Sequence, residues 1–340
     1  MQDYLNKPAF ENFGVRSAQW IRQPATIEAK LSRALQIGGS YSKLDTPQEG
    51  LLGHYKVTTP GSTVFIKIIR PNKARRQLAA DRLAGQLQAG GFLVSATLDN
   101  NPRPIDHDHV ALTYDYIAGE YLPHTEHAIA KLGHALGCLH RELGQLTCAN
   151  EVRQRCTARW ENLLTQKETL KHLVNESAVT ASVKESVLSS IEQNITDHLR
   201  RSPQMIHGDL NYGNVLLARR SGSPVVFLDF EEAIEAHYSP LFDVAMVIER
   251  FILNASSDQD LLLSAFREAY RKAGGGWFST DAPLAGMLKG LALRALLILT
   301  ASHTLGWAKW KEKEWLKFCE LHEKAVQNDL LLTRWSKCQA

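Results

Sequence analysis

Residues 205–217 read MIHGDLNYGNVLL: a histidine, an aspartate and two asparagines, with glycines at 208 and 213, set between apolar runs. Polar side chains at the end of buried strands need partners, so such a segment is an active-site loop, a metal site or a polar turn. The residues that follow narrow the choice. VLLA (215–218) leads into RRSGSP, where Gly222 and Pro224 mark a turn, and then into VVFL (225–228) and Asp229. Antiparallel pairing of 215 with 228 sets Asn214 opposite Asp229 at the open end of a hairpin. Asp209 lies on the loop feeding that hairpin, so Asp209, Asn214 and Asp229 are expected to meet.

Two carboxylates and an amide oxygen are hard ligands suited to Mg2+, which also takes phosphate oxygens. They lack the His and Cys complement of a structural zinc site. In phosphoryl transfer one Asp accepts the proton of the attacking hydroxyl, while an Asn and a second Asp hold the metal. Asp-x4-Asn, a hairpin and Asp-Phe is the order of a kinase catalytic loop and metal loop. Each residue alone has a structural reading: an Asx turn at Asp209 and Asn211, or a helix cap at Asp229. The joint spacing favours the chemistry.

Around this centre the chain changes character once. LQIGGSY, HYKVTT and TVFIKII are short strand-like runs, the last two joined by PGS. KARRQLAADRLAGQLQAG (73–90) has helical spacing, HVALTYDYI is a further strand, and from Thr125 onward the pattern is mostly helical apart from the hairpin. Strands first and helices after, with a pivot near 112–118, predict an α+β chain of two lobes, which 340 residues accommodate.

IHGDLNYGNVLL together with VFLDFEEA resembles the signature of the aminoglycoside phosphotransferase and choline kinase family, small-molecule relatives of protein kinases with HGD in place of HRD. The resemblance covers roughly residues 35–300 and is most specific over 205–231. It implies a bilobal protein-kinase-like fold: an N-terminal nucleotide-binding lobe, 1–112, with a small antiparallel sheet and a helical lead-in over 1–34, and a mainly helical catalytic and acceptor-binding lobe, 113–340. It implies ATP and Mg2+ as cofactors, Asp209 as catalytic base, and Asn214 and Asp229 as metal ligands. His207 would brace the loop. Asp243, in SPLFDVAMVIER, would anchor it through hydrogen bonds.

The nucleotide side rests on Lys67. An ammonium within TVFIKII is costly unless it meets a partner, and by the resemblance it would hold the α and β phosphates. The Glu that usually orients such a lysine is missing from the following helix, where Gln77 and Asp81 are the nearest substitutes. Backbone N–H groups of 48–53 could serve phosphate, although the segment lacks GxGxxG. Backbone atoms near Asp115, Tyr116 and Ile117 would meet adenine.

A small hydroxyl-bearing molecule is the expected partner. Glu231, Glu232 and Glu235 would suit a cationic one, and Trp277, Trp307, Trp310 and Trp315 could cage an ammonium or simply pack. A net charge of +3 gives no case for nucleic acid. Five scattered cysteines and no signal pattern at the N-terminus lead to the expectation of a cytoplasmic protein. The apolar stretch 284–305 carries Lys289 and Arg294, which favours a buried helix over a membrane span.

Three other classes fit less well. A two-metal phosphatase needs more His and Asp ligands than GD…GN supplies here. A kinase-like nucleotide binder without turnover is disfavoured because Lys67, Asp209, Asn214 and Asp229 are all present. A kinase acting on a protein is disfavoured because helix resumes soon after LDFEEA, with no activation segment.

Overall fold

The computed structural model describes residues 19–45, 50–98, 101–222, 224–275, 284–303, 309–328 and 331–333. Strand β1 (Trp20–Arg22) precedes helix α1 (Ala25–Leu35), and strands β2 (Ser40–Leu44), β3 (Gly53–Thr58) and β4 (Thr63–Ile69) follow. Helix α2 (Pro71–Ala89) comes next, then β5 (Arg103–Pro104) and β6 (Val110–Asp115). These strands form one antiparallel sheet in the order β1-β2-β3-β4-β6-β5.

Period-2 alternation in β4 decides what faces what. Ile66 and Ile68 are buried on one side with Leu31 and Leu35 of α1. Phe65 and Ile69 turn to the other side, toward Ala74 and Leu78 of α2. Lys67 shares that second side, and its side chain is 13% exposed. Each fully buried Leu or Ile contributes about 1.5–3 kcal/mol, so a one-residue slip of β4, which would turn this pair away from α1 and put Lys67 in its place, is strongly disfavoured. Pro71 opens α2, where a missing N–H costs nothing. The inner face of α2, including Leu83 and Leu87, packs into the large core formed by the later helices.

The described residues depart from the helical lead-in expected over 1–34. Helix occupies Ala25–Leu35 only, and Trp20–Arg22 pairs with Ser42–Leu44 as an edge strand. Pro24 separates the two: it cannot donate to a ladder but is well placed before a first helical turn.

Beyond β6, strand β7 (Gly119–Tyr121) leads into helices α3 (Glu126–Leu143), α4 (Ala149–Leu164), α5 (Lys167–Glu176) and α6 (Ala181–Glu192). Four short strands follow: β8 (Gln204–Met205), β9 (Val215–Ala218), β10 (Val225–Phe227) and β11 (His237–Tyr238). Helices α7 (Leu241–Val247), α8 (Gln259–Lys272), α9 (Leu284–His303) and α10 (Lys309–Gln327) complete the described chain. The long apolar α9 lies inside the fold, with 78% of its most apolar window buried.

The β9–β10 hairpin pairs one residue short of the expected register. Val215 faces Phe227, not Leu228, so Asn214 meets Leu228 and Asp229 falls one place beyond. Pro224 closes the ladder in this register. Its carbonyl accepts from Ala218 N at 3.0 Å, but it has no N–H to return, and the Ala218 carbonyl takes Arg220 N at 2.9 Å instead. Asp229 then leaves the strand with φ +58°, a left-handed conformation rarely adopted by a non-glycine residue and concentrated at functional sites.

Candidate active site

Asp243, fully buried at the start of α7, holds the loop that carries Asp209. Its carboxylate accepts from His207 N (2.8 Å), Gly208 N (2.9 Å) and His140 Nε2 (3.1 Å). His140, in the last turn of α3, is fixed in turn by the Tyr270 hydroxyl at 2.8 Å. The two helices approach closely enough for this because α3 carries glycine at the contact: a Cβ at Gly137 would lie 2.6 Å from the Tyr270 carbonyl oxygen. Gly208 is required for a second reason. Its φ is +82°, and a Cβ there would lie 2.8 Å from that of Ala236.

His207 is buried, and burial lowers its pKa so that the neutral ring is favoured. Its Nδ1 accepts from Asp209 N at 3.3 Å, which puts the ring proton on Nε2, facing the Leu228 carbonyl at 3.0 Å. Leu228 N donates to the Asn214 carbonyl at 2.9 Å. The residue before Asp229 is thus clamped on both its polar groups by the Asp209 loop. That clamp brings the two halves of the site together despite the shifted register.

The Asp209 carboxylate accepts from Asn211 Nδ2 at 3.2 Å on both oxygens and from Asn214 Nδ2 at 3.2 Å on Oδ2. Asn211 also closes an Asx turn by accepting Gly213 N at 2.8 Å. Asp229 meets Lys67 Nζ at 3.3 Å. Burial works to raise the Asp229 pKa, but the charge of Lys67, joined by His54, outweighs it and holds the carboxyl below its usual range.

Lys67 Nζ also lies 2.6 Å from Gln77 Oε1 and 2.6 Å from Glu231 Oε1. Gln77 therefore stands where the missing helix Glu was sought. Asp81, named as a brace, does its bracing one step back: it accepts from Gln77 Nε2 at 3.2 Å and from the Tyr114 hydroxyl at 3.0 Å. Burial pushes the Asp81 carboxyl up to about 6, against the pull of those two hydrogen bonds.

Glu232 and Glu235 are both engaged by arginines. Glu232 meets Arg76 (2.9 Å), Arg159 (2.9 Å) and Arg294 (3.3 Å); Glu235 meets Arg76 (2.7 Å) and Arg159 (3.0 Å). Burial raises the Glu232 pKa, but Arg159, Arg294 and Arg76 together bring it down to about 2. Beside this cluster, and beside Asp209, opens a cavity of about 70 Å³ walled by α7, α9 and α10. Trp315 is buried in the helical core, while Trp277, Trp307 and the side chain of Trp310 lie outside the described residues.

Residues 48–283 match the sequence model of the phosphotransferase enzyme family, APH. The chain belongs to that family. Its fold agrees with solved members of this kinase-like class. Amicoumacin kinase hAmiN, in complex with AMP-PNP, Ca2+ and Ami, is 15% identical with a TM-score of 0.57, covering 89% of this chain and 96% of its own. The choline kinase LicA from Streptococcus pneumoniae is 15% identical with a TM-score of 0.53, covering 88% and 98%. An aminoglycoside phosphotransferase from Alicyclobacillus acidocaldarius is 14% identical with a TM-score of 0.52, covering 84% and 90%. No curated protein matches the chain.

In this phosphotransferase the sequence-predicted residues fall into two contact groups, Asp209 with Asn214 and Lys67 with Asp229, tied by Leu228. Asp115, Tyr116 and Ile117 stand apart, where β6 ends opposite Val64; Tyr116 packs edge-to-face on Trp20 at 6.2 Å. Residues 48 and 49 of the expected phosphate segment, 48–53, lie outside the described residues, and Gly53 starts β3. Sequence reasoning missed His140, Arg159 and the role of Arg294. Two of them carried a signal: His140 sits on the apolar face of α3, and Arg294 interrupts the most apolar helix of the chain.

Proposed function

We propose that this phosphotransferase moves the γ-phosphoryl group of Mg·ATP to a hydroxyl group of a small molecule. The observation that carries the proposal is the pinned Asp209 carboxylate, held by Asn211 and Asn214 in the lining of the cavity and tied through Leu228 to the segment of the Lys67–Asp229 pair. Asp209 orients the acceptor hydroxyl and accepts its proton. Lys67 binds the α and β phosphates. Backbone groups at Asp115, Tyr116 and Ile117 receive the adenine.

The donor chemistry fits magnesium. Asn214 commits its Nδ2 to Asp209, which leaves the amide oxygen as its acceptor end, and Asp229 adds a carboxylate. When bound there, Mg2+ neutralises charge developing on the phosphates. The protein's own contribution is then positioning and fixed charge.

The test is ADP release from Mg·ATP with purified protein over aminoglycosides, choline, ethanolamine, thiamine, homoserine and simple sugars, with Asp209→Asn as control. An acceptor-dependent rate that the variant lowers by about two to four orders of magnitude supports the proposal. Failure to bind nucleotide at all overturns it.

A further inference from the structure

The cavity beside Asp209 carries information about the acceptor itself, on the reading that this is a phosphotransferase of small molecules. Its wall is mostly apolar: Phe242, Met246, Leu288, Ala295, Ile298 and Phe318 all line it. Four carboxylates also line it, those of Asp209, Glu232, Glu249 and Glu314. An acceptor bearing ammonium groups needs uncompensated carboxylates to replace the water it loses. Apart from Asp209, which holds the reacting hydroxyl, each of the four already has basic partners among the described residues.

Glu249 is paired with Arg250 at 2.9 Å and Lys324 at 3.5 Å, and Glu314 with Lys317 at 3.2 Å. Glu232 and Glu235 share the guanidinium groups of Arg76, Arg159 and Arg294, and Arg76 also donates to the Glu231 carbonyl at 2.8 Å; among the described residues, three cations meet two carboxylates there. Glu231, the remaining acid of that segment, is turned to Lys67. Two of the three arginines, Arg159 and Arg294, line the cavity. Arg294 is 8% exposed and stacks over Tyr238 and Phe242, 5.4 and 5.6 Å from the ring centroids, so its position is fixed.

We infer that the acceptor is an alcohol with an apolar body and an anionic group, the body against the α9 and α10 wall and the anion at Arg159 and Arg294. A guanidinium matches a carboxylate in a planar, two-bond geometry, which gives this end of the cavity orientation as well as charge. Glu232 and Glu235, which on sequence suited a cation, serve instead to hold these arginines.

Three eight-carbon alcohols that differ only at the far end test this: 8-hydroxyoctanoate, 1-octanol and 8-aminooctan-1-ol. Acceptor-dependent ADP release is measured for each, with Mg·ATP binding followed separately by calorimetry. The expected order in kcat/KM is carboxylate, then methyl, then ammonium, with at least a tenfold span. Arg294→Met should erase the advantage of the carboxylate. Because Arg294 is buried, a second variant avoids reliance on its folding: Leu291→Glu, on the half-buried wall, should move preference toward the ammonium compound. A preference for the ammonium compound in the unmodified protein, or equal rates for all three, overturns the inference while the kinase reading stands. So does absence of turnover with all three when Mg·ATP binds. Loss of Mg·ATP binding itself overturns the kinase reading on which the inference rests.

Discussion

Asn214 directs its side-chain amide at Asp209, with Nδ2 at 2.8 Å from the backbone carbonyl and 3.2 Å from Oδ2 of the carboxylate. The same side chain therefore steadies the Asp209 carboxylate and keeps its other end, an amide oxygen, free for the proposed metal. Exchanging the donor for an acceptor breaks both arrangements at once. Asn214→Asp places a second carboxylate against Asp209, and like charges raise each other's pKa. The expected result is a kcat lowered by roughly 100-fold at pH 7 and an acidic limb of the pH–rate profile displaced upward. Steady-state rates across pH 5–9 check this, and an unmoved limb counts against contact between the two side chains in solution.

Gln77 is neutral where a carboxylate was sought, and it works as a relay. Its Oε1 accepts from Lys67 while its Nε2 donates to Asp81. Gln77→Leu leaves the Lys67 ammonium with Asp229 and Glu231, both on the loop after β10, and removes its tie to α2. A hydrogen bond to a charged group is worth about 1.5–3 kcal/mol. The KM for ATP should therefore rise roughly 10-fold or more, with a smaller change in kcat. Equal losses in both parameters would argue that Gln77 acts on the transition state instead.

The contacts of the candidate site were more legible in the sequence than those of its surroundings, for a physical reason. Asp209, Asn214 and Asp229 lie within one loop-and-hairpin unit whose geometry is local, and Lys67 stands out because a charge amid Val, Phe and Ile needs a partner. The arginine cluster is not local. Arg76, Arg159 and Arg294 come from three helices and meet over Glu232 and Glu235 only after the chain has folded. Short-range reasoning saw the glutamates and not what neutralises them. The hairpin register differs by one residue from the sequence expectation because spacing alone does not fix where a turn of six residues closes. Likewise, Trp20–Arg22 is a strand because β2 offers an edge, which no local pattern announces.

Asp81 makes stability depend on pH. Burial raises its carboxyl from about 3.8 to about 6, so the folded protein binds this proton more tightly than the unfolded chain does. The stabilisation is complete below about pH 4 and is lost as pH rises through about 6, an effect of about 3 kcal/mol for a shift of this size. Asp81→Asn has no proton to lose. Melting temperatures of the two proteins should diverge between pH 4 and 7, with the unmodified protein losing several degrees relative to the variant, and run parallel above that. A constant difference over the whole range would place the Asp81 pKa near its ordinary value.

Asp243 is the hub through which the C-terminal helices fix the Asp209 loop, and its three donors cannot all be served by an amide. Asp243→Asn keeps one oxygen and turns an NH2 toward a backbone N–H or toward His140 Nε2. At least one buried donor then goes without an acceptor, at about 1–3 kcal/mol, more where a charged acceptor is lost. His207 N and Gly208 N lead directly to Asp209, so misplacement should reach the reacting hydroxyl. The expected outcome is a fall of several degrees in melting temperature together with a loss of roughly 10-fold or more in kcat, while Mg·ATP still binds. Full kcat with a lowered melting temperature would show that Asp243 supports the fold without positioning Asp209. An unchanged melting temperature with lost kcat would instead assign Asp243 to the reaction rather than to the scaffold.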